Sequence, residues 1–243
     1  LLFLAACDSQ QTSEEDSSLD GLGTAGVEIT TPFSSSSTTE NGGTVSTKVR
    51  LKSAPLSPVT ITLNSSDTQE GTVSPSVLTF NKDNWDSYVS IIVTGVDDDI
   101  ADGSQSYEIQ IASIVSADSK YTALNGQIKP IKLQNEDDEI KAIVLGSLSG
   151  DTTEAGGNAT FSVKLASKPI EAVSIPIIST DTSEGTVSVS SLSFDNSNYN
   201  TVQIVTVNGE DDDERDGNIA YQVKIGPTSS NSLPFNNVES LTH

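Results

Sequence analysis

The sequence is poor in the side chains that most catalytic sites require. In 243 residues it has one cysteine, one histidine, one tryptophan and no methionine. The histidine, His243, is the last residue and the cysteine, Cys7, lies in an apolar run, so neither can build a Ser–His or Cys–His pair inside a fold. Aromatic residues make up only 5% of the chain, which leaves little for a sugar-stacking cleft beside paired carboxylates. The sequence therefore predicts a protein that is not an enzyme.

Basic residues are also scarce. The chain has 12 Lys and Arg against 34 Asp and Glu, and a formal net charge of −22. This excludes nucleic acid as a partner, because a phosphate backbone needs a basic surface. The acidic residues concentrate in the clusters 97–102, 136–139 and 210–216. Clustered carboxylates repel one another, and a divalent cation removes that repulsion, so the clusters favour a cation site.

No apolar run is long enough to span a bilayer. Residues 1–6 form a short apolar stretch that ends in two small residues before Cys7. The segment Leu4-Ala5-Ala6-Cys7 resembles the lipobox at the end of a bacterial lipoprotein signal peptide. The resemblance implies a lipid on Cys7, a membrane as partner, and a periplasmic or surface-exposed position in the cell envelope. A free thiol is the alternative for Cys7.

The remaining chain divides into a tether and two repeats. Residues 8–26 are polar and rich in Ser and Gly, which predicts a flexible, disordered tether. An offset of 114 residues aligns 39–113 with 153–227 without a gap, at 31 identities in 75 positions. A repeat this regular predicts two copies of one domain, over residues 27–139 and 140–243. By the same offset, the strand expected at 128–133 recurs only from 242 onward, so we expect the second domain to lack its last strand.

Both copies show the alternation of β-strands. Apolar residues recur at every second position between clusters of Gly, Pro, Asn, Asp and Ser, which is typical of half-buried strands in a sandwich. No window has helical periodicity. The alternating apolar sets are Val45, Val49 and Leu51; Val59, Ile61 and Leu63; Val89, Ile91 and Val93; Tyr107, Ile109 and Ile111; and, in the second copy, Phe161, Val163 and Leu165; Val173, Ile175 and Ile177; Tyr221, Val223 and Ile225.

The order of the motifs resembles the Calx-beta domain, a sandwich module found in sodium–calcium exchangers and bacterial surface proteins. The motifs are a Glu-Asn-Gly-Gly turn at 40–43, the Ser-Ser-Asp turn at 65–67, the run Val-Thr-Gly-Val-Asp-Asp-Asp at 93–99, and Asn-Glu-Asp-Asp at 135–138. The resemblance covers 27–139 fully and 140–243 partially. It implies an all-β fold of two tandem immunoglobulin-like sandwiches.

The resemblance also implies calcium sites formed by acids from several loops at one end of each sandwich. The implied ligands are Glu40, Asp67, Asp98, Asp102, Asp137 and Asp138 in the first copy, and Glu154, Asp181, Asp212 and Asp216 in the second, weaker one. Gln105 and Ile219 depart from the family, which often has a further acid there. The spacing of the acids excludes an EF-hand.

Three functions remain open from the sequence. The first is a lipid-anchored spacer or adhesion module that binds calcium where Asp137, Asp138 and Glu139 lead into the second copy. The second is a stalk that presents a further catalytic or ligand-binding domain. The third is an ion-free spacer whose Asp-rich turns stay solvated. A protein or surface-polymer ligand is not identified by any motif.

Overall fold

The chain folds as two β-sandwiches in tandem, as predicted. The structure, a computed structural model, describes residues 23–30, 36–211, 217–231, 233–239 and 241–242. Cys7, most of the predicted tether, and the acids Asp212 and Asp216 lie outside these residues. Strands dominate the described part of the chain, and none of its helices is long and apolar enough to cross a membrane.

The first sandwich packs two sheets against each other. One sheet has the strand order β1-β3-β7-β5 and the other β2-β9-β8-β4-β6, in which only β2 and β9 are parallel. A single helical turn, α1 (Ser119–Thr122), connects the last two strands. The strands are β1 (Val27–Ile29), β2 (Ser37–Thr39), β3 (Thr44–Leu51), β4 (Val59–Ser65), β5 (Gly71–Ser74), β6 (Val77–Phe80), β7 (Val89–Gly95), β8 (Gln105–Val115) and β9 (Ile131–Glu136).

The second sandwich repeats this plan. Its sheets have the orders β10-β11-β15-β13 and β14-β12-β16-β18, with β17 beside β12. Strands β11 to β15 each begin 114 residues after β3 to β7, so the structure follows the sequence repeat. The strands are β10 (Ile143–Leu145), β11 (Asn158–Leu165), β12 (Val173–Ser179), β13 (Gly185–Val187), β14 (Ser191–Phe194), β15 (Gln203–Gly209), β16 (Val223–Ile225), β17 (Ser229–Ser230) and β18 (Leu241–Thr242).

Each sandwich buries its own apolar core. In β3 and β11 every second residue is buried and its neighbours face outward, as the period of two predicts. Phe80 and Phe194 lie at equivalent positions and are fully buried. Tyr121 from α1 and Phe235 from a 3₁₀ turn (Leu233–Phe235) are 114 residues apart, and each is buried in the core of its own sandwich.

A glycine in each copy makes room for a tyrosine. A Cβ on Gly71 would collide with the ring of Tyr107, and a Cβ on Gly185 would collide with that of Tyr221. The tyrosine hydroxyls then reach a threonine: Tyr107 Oη lies 2.8 Å from Thr38 Oγ1, and Tyr221 Oη lies 2.7 Å from Thr152 Oγ1. The repeated glycine is therefore a packing requirement rather than a turn signal.

The loop after β7 joins the two sandwiches. The amide of Lys168 donates to the carbonyl of Asp99 at 2.9 Å, and the amide of Ala101 donates back to the carbonyl of Lys168 at 3.0 Å. Ala101 is fully buried and belongs to the core of the second sandwich. The first acidic loop therefore carries its carboxylates next to the junction while its alanine packs into the neighbouring domain.

Candidate metal centre

Three acidic loops meet at one end of the first sandwich. Parallel pairing of β2 with β9 brings Glu40 beside the acidic residues that follow β9. The amide of Gly95, at the end of β7, donates to the carbonyl of Gly43 at 3.0 Å, which places the loop 96–102 at the same end. Carboxylates that are far apart in the sequence are therefore neighbours in the fold.

The first group of carboxylates is Glu40, Asp137 and Glu139. One oxygen from each lies within 4.8 Å of the others. Two oxygens on opposite sides of one Ca²⁺ lie about 4.8 Å apart, given Ca–O distances of about 2.4 Å. Glu40 is 3% exposed, and its Oε2 accepts from the amide of Asp138 at 3.3 Å. The group is compact enough to share one cation.

The second group is Asp97, Asp138 and Glu139, with the same spacing between oxygens. Asp97 and Asp138 are exposed, so this group faces solvent while the first faces inward. Glu139 belongs to both groups. The geometry thus suits either one cation held by several of these acids or two neighbouring cations bridged by Glu139.

Glu139 lies close to two other carboxylates, and its negative charge is destabilised there. Its Oε2 is buried and no donor group reaches it. Burial, hydrogen bonds to the side chains of Glu40 and Asp137, and the negative charge of both raise the pKa of Glu139 from 4.5 to about 8. A carboxylate can share a proton with another carboxylate but cannot donate when both are ionised. A proton or a cation between these carboxylates would remove their repulsion.

The negative charge of Asp137 is stabilised by several hydrogen-bond donors. Burial alone would raise its pKa, but hydrogen bonds from Lys141, Glu139 and the amide of Gly103 outweigh burial and lower it. Lys141 Nζ lies 2.9 Å from Asp137 Oδ2, whose side chain is 3% exposed. Gly103 donates to the same oxygen at 2.5 Å. Lys141 supplies the single salt bridge found at this centre among the described residues.

Asp98 and Asp102 lie at the rim of the centre. Asp98 Oδ1 accepts from the amide of Ile100 at 2.6 Å, which shapes the loop. Burial, followed by the charges of Asp98 and Asp137, raises the pKa of Asp102. The side-chain amide of Gln105 donates to the carbonyls of Asp102 and Gly103 at 3.3 and 3.1 Å. Both acids add negative potential, and Gln105 fixes the loop that carries Asp102.

Glu70 is a further buried acid that the sequence did not single out as a ligand. It is 8% exposed, and burial, with the charges of Asp102, Asp67 and Glu40, raises its pKa. Its Oε2 accepts from Asn135 Nδ2 at 3.4 Å. The charge of Glu70 makes the electrostatic potential at this end of the first sandwich more negative. In the sequence, the one feature that marks Glu70 is that the equivalent residue of the second copy, Glu184, is also a glutamate.

Asp67 and its repeat Asp181 each hold a turn. Its Oδ1 accepts from the amide of Gln69 at 2.9 Å, and Asp181 accepts from the amide of Ser183 at 3.1 Å. Hydrogen bonds from the Ser183 hydroxyl and amide lower the pKa of Asp181. Both aspartates are turn residues outside the two carboxylate groups.

The second sandwich shows no comparable group in the part of the chain that the structure describes. Glu154 is exposed and lines a cavity with Glu184. Asp212 and Asp216 fall outside the described residues, so their role as ligands stays a prediction. Glu139 and Asp97 were not in the predicted ligand set, but they are adjacent to predicted ligands in the sequence and belong to the two carboxylate groups in the fold.

Comparison with known proteins finds only distant similarity. No family model and no curated protein matches the chain. Among solved structures, CBD12 from CALX1.2 is 13% identical over 81% of this chain and 79% of that chain, with a TM-score of 0.32. The calcium-binding domain CBD12 of CALX1.1 is 14% identical over 79% and 77%, with a TM-score of 0.33. Domains 1–6 of the surface layer protein SbsC are 14% identical over 91% of this chain and 27% of that chain, with a TM-score of 0.31.

Proposed function

We propose that this chain is a non-enzymatic, calcium-binding spacer or adhesion module of the Calx-beta kind, anchored to a membrane through a lipid on Cys7. The observation that carries the calcium proposal is the convergence of Glu40, Asp137 and Glu139 on one point. Buried carboxylates this close together are stable only when a proton or cation lies between them. Ca²⁺ prefers sites in which several loops supply oxygen ligands.

The position of the centre gives the ion a mechanical role. Asp137 to Glu139 lead directly into the second sandwich, and the loop that carries Asp97 and Asp98 also packs Ala101 into its core. A cation bound here draws residues 137–139 towards the loop 96–102, which we call the docking loop. Its loss leaves like charges on both, which repel across the junction. Calcium would therefore stiffen the link between the sandwiches.

Calorimetric titration of the chain with Ca²⁺ tests the proposal. We expect saturable heat for the wild type and a loss of at least about tenfold in affinity for Asp138→Asn, because a neutral amide replaces a charged ligand. Asp86→Asn is the matched control, since Asp86 is exposed in the loop before β7, at the other end of that strand. Absence of heat at millimolar Ca²⁺ would leave the ion-free spacer as the function.

The anchor rests on the lipobox-like segment before Cys7 and needs its own experiment. Metabolic labelling with a fatty-acid analogue in a bacterial host should label the wild type and not Cys7→Ser. The variant should also leave the membrane fraction. Equal labelling of both chains would refute the anchor without affecting the calcium site.

A further inference from the structure

One buried amide, that of Asn135, contacts the segments that carry the carboxylates of the first sandwich. Asn135 belongs to β9 and is fully buried. Its Nδ2 donates to the carbonyl of Val96 at 2.8 Å and to Glu70 Oε2 at 3.4 Å, and its Oδ1 accepts from Thr38 Oγ1 at 2.9 Å. Both polar atoms of the side chain are therefore paired, as buried polar groups require.

These contacts lie at the roots of the three acidic segments. Thr38 lies two residues before Glu40, and Val96 is the first residue of the docking loop. The amide itself lies two residues before the segment 137–139. One side chain thus links the three segments from which the carboxylates come.

Asparagine is the side chain that this position needs. The carbonyl of Val96 can only accept, so Nδ2 must face it, and Oδ1 is left to accept from the Thr38 hydroxyl. An ionised aspartate would have no donor for that carbonyl, and an apolar side chain would have neither group. Gly95 completes the fit, since a Cβ there would collide with Asn135 Oδ1 and with the carbonyl of Thr39.

The surroundings of Asn135 make these bonds strong. Thr38, Tyr107 and Glu70 are all buried, and hydrogen bonds gain strength where water is excluded. The amide of Val96 also donates to the carbonyl of Glu70 at 3.1 Å, so both backbone groups of Val96 are held. The root of the docking loop is thus fixed on two sides.

We propose that Asn135 is a positioning residue of the candidate metal centre: it holds the three acidic segments at the spacing that a shared cation requires, and so sets the affinity for Ca²⁺. This inference rests on the proposed calcium site. Segments that are already held in place lose less conformational freedom when the ion binds, which raises the affinity. Replacing a residue that orients metal ligands without touching the metal typically lowers the affinity about 10–100-fold.

Calorimetric titration of Asn135→Ala with Ca²⁺ tests the proposal, and Asn125→Ala is the matched control. The amide of Asn125 also makes three hydrogen bonds, to the backbone of Ile114 and Thr122 at 2.6, 2.9 and 3.0 Å, but at the other end of β8. We expect Asn135→Ala to lower the affinity at least about tenfold and Asn125→Ala to leave it unchanged. Equal affinity of the wild type and Asn135→Ala overturns the proposal alone, whereas a wild type that binds no Ca²⁺ overturns the calcium site itself.

A second pair of variants keeps the test valid where Asn135→Ala does not fold. Thr38→Val removes the hydroxyl that donates to Asn135, whereas Tyr107→Phe removes only the hydroxyl that reaches Thr38. Both disturb the same buried network, so a role limited to stability predicts equal calcium affinities. We expect Thr38→Val to bind Ca²⁺ at least about tenfold more weakly than Tyr107→Phe, and Thr38→Ser, which keeps the hydroxyl, to restore the affinity. Equal affinities of the valine and phenylalanine variants overturn the proposal.

Hydrogen exchange in EDTA gives a readout that does not involve the ion. The backbone amides of Glu40 and Val96 both donate to carbonyls of neighbouring segments at the roots of the acidic loops. They should exchange at least about tenfold faster in Asn135→Ala than in the wild type, and at the wild-type rate in Asn125→Ala. Equal acceleration throughout the first sandwich of Asn135→Ala would show general destabilisation and overturn the positioning role.

Discussion

At the scale of single residues, identity between the copies marks packing as clearly as it marks function. Gly71 and Gly185 are identical because each lies against a tyrosine ring. Asp67 and Asp181 are identical because each accepts from an amide two residues on. An acid that recurs in both copies is thus not evidence of a ligand until its neighbours are known.

Replacing Gly71 tests the packing role. Gly71→Ala should destabilise the first sandwich by about 1–3 kcal/mol, because the new methyl group must displace the ring of Tyr107 in a filled core. Trp85, the single tryptophan, packs against this core, so its fluorescence during urea unfolding reports the first sandwich. Gly150→Ala is the control, since nothing lies near its Cβ position. An equal effect of both substitutions would argue against the steric explanation.

Glu139 gives the centre a dependence on pH. Its pKa is about 8 in the fold against 4.5 for the ordinary group, so the folded state holds more protons than the unfolded state between these values. Stability without metal therefore falls as pH rises from 4.5 to 8. Burial raises the pKa of Glu40, Glu70 and Asp102 as well, which adds to the same trend.

The substitution Glu139→Gln isolates this effect. In EDTA, the urea midpoint of the wild type should drop between pH 6 and pH 9, and the variant should drop less because its amide does not ionise. In saturating Ca²⁺ the wild type should lose this drop, since the cation replaces the proton. Asp86→Asn should follow the wild type. A variant with the full wild-type drop would show that Glu139 does not set the pH dependence.

At the scale of elements, the alternation of apolar residues predicted most strands correctly. It predicted β3, β4, β7 and β11 because each has one buried and one exposed face. It also predicted a strand from Tyr221 to Ile225, but β16 covers only Val223–Ile225. Among the described residues no strand pairs with Tyr221, and without those ladder hydrogen bonds the segment before Val223 is not a strand.

The centre was less predictable than the strands. The sequence placed Glu40, Asp137 and Asp138 in one site, and the structure brings them into the two carboxylate groups. Asp67 lies outside these two groups, and Glu139, which the sequence placed at the junction, belongs to both. Which acids converge depends on the parallel pairing of β2 with β9, a contact between segments about 100 residues apart that no local pattern encodes.

The docking loop makes the first acidic cluster part of the junction. Ala101→Asp should detach the loop from the second sandwich, because an unpaired carboxylate cannot enter its apolar core. Hydrogen exchange of the amides of Ala101 and Lys168, which donate across the junction, should accelerate by at least about tenfold. Ser104→Asp adds the same charge at an exposed position and should leave both amides protected. Unchanged protection in Ala101→Asp would show that the alanine does not hold the junction.

At the scale of the whole molecule, the two sandwiches contact each other through the acidic loop that follows β7. The connecting segment is short, since β9 ends at Glu136 and β10 begins at Ile143. Two backbone hydrogen bonds and one buried alanine hold the docking loop in place. The acids beside them oppose that contact when no cation is present, because their like charges raise the energy of the closed arrangement.

Small-angle scattering in Ca²⁺ and in EDTA measures this balance. We expect EDTA to broaden the distance distribution and raise the radius of gyration, because repulsion among Asp97, Asp98 and Asp138 frees the junction while both sandwiches stay folded. Asp138→Asn should already resemble the EDTA state in Ca²⁺ if the lost ligand abolishes binding, and Asp86→Asn should behave as the wild type. Magnesium should restore the compact profile less well, since it needs a near-ideal octahedral site and keeps its waters. Identical profiles in Ca²⁺ and EDTA, together with a calorimetric signal for binding, would mean that the ion stabilises the first sandwich alone and that the Ala101 contact suffices to hold the pair.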